Sequence, residues 1–113
     1  MFDGILSGYP GFNLPKAALQ HALDVQAWST VNPEIAKAFS REDMQVLAKG
    51  ILTACDALDG LKDGIVADAD ACEAAFKPET LACAKEGDKD CLSPVQIEAL
   101  VTSHKGPRNA KGE

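Results

Sequence analysis

A chain of 113 residues, 46% of them hydrophobic, is one domain's worth of sequence with a modest core to bury. Its net charge of -6 and pI near 4.8 exclude nucleic acid as a natural partner, because phosphates repel such a surface. No apolar run approaches the roughly 20 residues of a membrane span, so no membrane partner is expected.

Met1-Phe2-Asp3-Gly4 lacks a basic stretch leading into an apolar one, and so carries no signal peptide. Four cysteines in a small acidic chain nonetheless suit an oxidising compartment, secreted or periplasmic. These features disagree unless the chain is a piece of a longer exported protein. Phe2 to Ser7 has the apolar centre of a short buried strand, with no second strand to pair with it. It reads as an orphan whose sheet lies elsewhere. Ser7 does not sit in a G-x-S-x-G elbow and is not expected to be a nucleophile.

From Pro15 the pattern turns helical, with Leu19, Ala22, Leu23 and Ala27 on one face and Trp28 as core. His21 has no local carboxylate or cysteine partner. Asn32-Pro33 ends this segment, and 33–39 is expected to form a short second helix. Ser40 and Asp43 then spell a capping box. Met44, Leu47, Ala48, Ile51, Cys55 and Leu58 follow as an apolar stripe that reads as core. A turn and a short helical piece are expected over 76–81. In the last helix Ser93 caps, Pro94 takes the first position and Gln96 completes a second box, with Leu92 stapling onto Ile97. Leu100, Val101 and His104 continue that stripe, and Gly106-Pro107 stops it.

Between these helices lies the most distinctive stretch, Cys55 to Cys72. Five aspartates fall between positions 56 and 70, with Lys62 the only base among them. So many carboxylates resist desolvation together, and a hard divalent cation relieves the conflict. Calcium accepts carboxylates and backbone carbonyls in irregular geometry. Asp56, Asp59 and Asp63 offer side-chain oxygens. Gly60 and Gly64 permit turns that aim the carbonyls of Leu61 and Ile65 at the same ion. An acidic surface loop without metal is the plainer alternative. An EF-hand over Asp59 to Asp70 is a third, weakened by Leu61 at its third position and by a poor exiting helix after it.

Cys55, Cys72, Cys83 and Cys91 permit three pairings. Their layout favours Cys55–Cys72 and Cys83–Cys91, each closing a local loop. A zinc site competes poorly, since no C-x-x-C pair occurs and the nearby carboxylates are hard ligands.

Phe2-Asp3-Gly4-Ile5, the run Cys55-Asp56-Ala57-Leu58-Asp59-Gly60-Leu61-Lys62-Asp63-Gly64-Ile65, and Cys91-Leu92-Ser93 with Gly106-Pro107-Arg108 resemble the tannase and feruloyl esterase family. The resemblance implies an α/β-hydrolase core with a large inserted lid. Residues 1–14 would be a core-strand remnant and exit turn, and 15–113 part of the lid, with the calcium loop at 55–72. It implies calcium held by the Asp56, Asp59 and Asp63 side chains with the Leu61 and Ile65 carbonyls, and the same two disulfides. It implies as partners the rest of the hydrolase chain and a small aromatic ester, with Phe12 to Leu14 bordering the pocket. The family's serine elbow would lie upstream and its acid and histidine downstream. Neither His21 nor His104 matches that histidine, so no catalytic residue is expected here. The expected fold is therefore mostly α: a small disulfide-stapled helical lid fragment with a calcium loop and one orphan N-terminal strand. A free-standing calcium-dependent binding module and a metal-free stapled domain are the alternatives.

Overall fold

The computed structural model describes residues 13–85, 87–109, 111 and 112, together with Asp3, Gly4, Leu6, Gly8 and Gly11. The strand expected over Phe2 to Ser7 falls largely outside the described residues, as do Ser7 and Phe12. Among the described residues the chain is helical, with α1 over Leu14–Val31, α2 over Arg41–Cys55, α3 over Ala69–Ala75 and α4 over Pro94–Lys105. Short 3-10 turns at Ile35–Lys37 and Pro78–Leu81 join them.

Local sequence explains the starts of α2, α3 and α4. In α2 the Ser40 hydroxyl accepts from the Asp43 amide while the Asp43 carboxylate accepts from the Ser40 amide, the reciprocal box expected. α4 repeats the device with Ser93 and Gln96, and Gly106, at φ 71°, ends it. Leu92 and Ile97 are both buried, as a staple across that cap requires. Helix α3 was not expected. Asp68 caps it by accepting from the Ala71 amide, and its alanine-rich run needs no apolar stripe to be helical. The acidic loop therefore does exit into a helix, which contains Cys72.

Packing is modest. α1 lies chiefly on α4, α2 on α3 and on the Pro78–Leu81 turn, and α4 on that same turn. Gly50 lets α2 approach the turn, for a methyl there would meet Leu81 Cδ2 at 2.6 Å. Trp28 meets Phe39 edge-on with ring centroids 5.6 Å apart, and its indole N–H is buried without a hydrogen-bond partner among the described residues. Among the described residues the buried apolar side chains are Ala27, Ala38, Cys55, Phe76, Pro78, Leu92, Ile97 and Ala99.

The apolar stripes are less buried than their periodicity suggests. Met44, Ala48 and Leu58 on and after α2, and Leu19 and Ala22 on α1, face outward, and His104 is exposed. The physical reason is partner geometry. α4 approaches α1 from the side of Gln20, Asp24 and Ala27, where Asp24 Oδ1 accepts from Ser103 Oγ at 2.6 Å and from Gln20 Nε2 at 2.7 Å. Gln20 also donates to the Ser103 carbonyl at 3.2 Å. A polar seam thus occupies part of the contact that periodicity assigns to aliphatic side chains.

Candidate metal centre

Helix α2 delivers two residues to the acidic loop. Cys55, 1% exposed, ends the helix and is joined to Cys72 of α3. Asp56, 7% exposed, follows it. The chain then turns back through amide bonds from Leu58 to the Cys55 carbonyl and from Gly60 to that of Ala57. Gly60 and Gly64 adopt φ 92° and 83°, left-handed values that side chains rarely take. The first disulfide fixes both ends of the loop, while Cys83–Cys91 closes a separate one, as their layout suggested. That second loop leans on a single bridge between Ala82 and Leu92, with the Cys83 amide donating to the Leu92 carbonyl.

Each carboxylate named in the sequence folds back on backbone amides. Asp56 Oδ1 accepts from Gly64 N at 2.7 Å and from Asp63 N at 3.1 Å, so the buried acid organises the second turn. Asp59 Oδ1 accepts from Leu61 N at 2.9 Å, and its Oδ2 from Ala67 N at 3.3 Å. Asp63 Oδ1 accepts from Ile65 N at 3.0 Å. The three acids therefore lie within one disulfide-closed loop. Among the described residues no three His, Cys, Asp or Glu side chains converge in a metal-holding geometry. No basic side chain neutralises these acids either, since the one ion pair among the described residues joins Lys37 to Glu34. Leu61 and Ile65, whose carbonyls the sequence nominates, have exposed side chains.

Catalytic groups do not assemble among the described residues. His21 and His104 are both exposed, and the Ser103 hydroxyl is committed to Asp24 rather than to a histidine. The groove of about 630 Å³ along α2, lined by Gln45, Lys49, Gly50, Thr53 and Leu81, includes none of Asp56, Asp59 and Asp63. Sequence reasoning missed one polar cluster. Gln96 Nε2 donates to Asp43 Oδ2 and to the Ala38 carbonyl while its Oε1 accepts from Ser93 N. The two capping boxes were legible separately, but nothing in the sequence signals that they meet.

Comparison with known proteins identifies the family of the chain. The pattern of tannase and feruloyl esterase matches residues 1–113, and the chain belongs to that family. It is 41% identical to a mono(2-hydroxyethyl) terephthalate hydrolase of Piscinibacter sakaiensis over 98% of this chain and 21% of that enzyme. A probable feruloyl esterase B-2 of Aspergillus flavus is 33% identical over 88% of the chain and 18% of its own length. An uncharacterised esterase of Agrobacterium fabrum is 33% identical over 93% of the chain and 20% of its own length. The chain thus spans about a fifth of the length of these relatives.

Proposed function

We propose that the chain is lid-forming sequence of a secreted or periplasmic carboxylic-ester hydrolase acting on aromatic acid esters such as tannins or feruloyl esters. One observation carries this reading: 98% of the chain aligns to the terephthalate-monoester hydrolase while covering only 21% of it. Residues 1–14 are then a core-strand remnant and exit turn, and 15–113 part of the lid.

In this reading the 55–72 loop holds a structural calcium. The donor chemistry fits a hard cation: three carboxylates, from Asp56, Asp59 and Asp63, and the Leu61 and Ile65 carbonyls are all oxygen. Buried Asp56 has amide donors but no countercharge among the described residues, which is the imbalance a divalent ion relieves. The ion would supply positive charge to these three acids, and the Cys55–Cys72 bridge would tie the loop to α2 and α3.

Chemistry belongs to the remainder of the hydrolase. Purified chain is expected to leave methyl ferulate, methyl gallate and mono(2-hydroxyethyl) terephthalate intact, whereas the longer parent polypeptide hydrolyses at least one. Turnover by the 113 residues alone, abolished by Ser7→Ala, would overturn the reading. A metal-free stapled domain is the second reading, favoured by the amide bonds that already engage all three carboxylates. An Asp59→Asn variant with unchanged melting and unchanged response to calcium would decide for it.

A further inference from the structure

We infer that the outward face of α1, formed by Leu14, Ala18, Leu19, Ala22 and Val25, docks against the remainder of the same hydrolase polypeptide. This rests on the reading that the chain is part of a longer esterase. Of the 18 residues of α1 only Lys16 and Asp24 carry fixed charge, and Asp24 is bonded towards α4. At about 100° per residue the five side chains fall within one arc, shared with the uncharged Gln26 and Ser29, roughly opposite Ala27 on the side that meets α4. Leu14, Leu19 and Val25 are 66%, 60% and 48% exposed, and Ala18 and Ala22 are exposed beside them. A helix with apolar residues on both sides is one covered on both sides, whereas a solvated face carries charge. The relatives supply the cover, since the chain accounts for only 21% of the terephthalate-monoester hydrolase and most of that enzyme is available to pack here. The face has no charge to pair, so its counterpart is aliphatic or aromatic.

Hydroxyl-radical footprinting of the full-length parent tests this, with buried Leu92 and Ile97 as internal references. Leu14, Leu19 and Val25 are expected to label as slowly as the references there, and several-fold faster in the 113-residue chain at low concentration. In the full-length protein, the Leu19→Lys/Val25→Lys pair is expected to lower the melting temperature, while Lys16→Glu on the same helix leaves it unchanged. Fast labelling in the full-length parent overturns the docking surface. So does protection there that disappears on dilution, which would assign the face to a second copy. Ester hydrolysis is assayed on the same sample. An active parent with fast labelling refutes the surface alone, and an inactive parent with protection refutes only the esterase reading.

Discussion

Gln96 Nε2 donates to Asp43 Oδ2 at 2.9 Å, joining the N-terminal caps of α2 and α4 across 53 positions of sequence. Each cap satisfies its own first-turn amides. The same carboxamide also donates to the Ala38 carbonyl at 3.1 Å, so the α4 cap is tied to the segment that leads into α2.

Gln96→Ala is therefore expected to cost about 1–3 kcal/mol, since it breaks bonds to Asp43, Ala38 and Ser93 and leaves the Ala38 carbonyl and the Ser93 amide unpaired, while Asp43 Oδ2 keeps the Ser40 amide. Gln96→Glu should be worse at neutral pH, where it sets a second carboxylate against Asp43, and should partly recover in acid. Urea denaturation of the three proteins measures both effects.

Asp43 also makes stability depend on pH. Partial burial pushes its carboxyl up, but the Ser40 amide and hydroxyl and the Gln96 amide together outweigh that and hold it below its ordinary value. A carboxyl lowered by folding adds stability that is complete above the unfolded value of about 3.9 and is lost as pH falls through the folded one. Asp43→Asn should be less stable at neutral pH and should show a shallower loss of stability below pH 4 or so. Melting temperature against pH, compared with the unchanged chain, checks it.

The disulfides close loops with sequence separations of 17 and 8. Loop-closure entropy assigns about 3 kcal/mol to the first and about 2.5 kcal/mol to the second. Paired alanine variants are expected to separate further than that. Cys55 is 1% exposed and sits where α2 enters the acidic loop, so losing its bridge also empties buried volume. Equal losses for the two pairs in denaturant titration would mean that burial adds nothing there.

Gly64→Ala tests the second turn of the acidic loop. No atom lies within 4 Å of the added methyl, so the expected cost of about 1–2 kcal/mol comes from φ 83° alone. Because the Gly64 amide donates to buried Asp56, the substitution should also weaken any response of melting to calcium.

What was legible in the sequence was local. Both capping boxes and the Gly106 stop follow from residues within four or five positions of one another. Helix α3 escaped because Ala69–Ala75 has no apolar stripe and its only start signal, Asp68, sat among aspartates already assigned to a loop. The stripe on α2 promised more burial than Met44 and Ala48 show, because periodicity states which face is apolar and not whether anything covers it. Asp56, Asp59 and Asp63 are nominated by composition and spacing. Their bonds to Gly64, Leu61 and Ile65 amides depend on backbone turns that composition does not encode.

Calorimetric titration of calcium into chelator-stripped protein, with melting followed in parallel, tests the central claim most directly. The account predicts one ion bound per chain and a stabilisation of about 2.7 kcal/mol once free calcium reaches a hundred times the dissociation constant. Asp59→Asn should abolish both. A folded chain that takes up no calcium at millimolar concentration, and melts at the same temperature with and without it, would contradict the account.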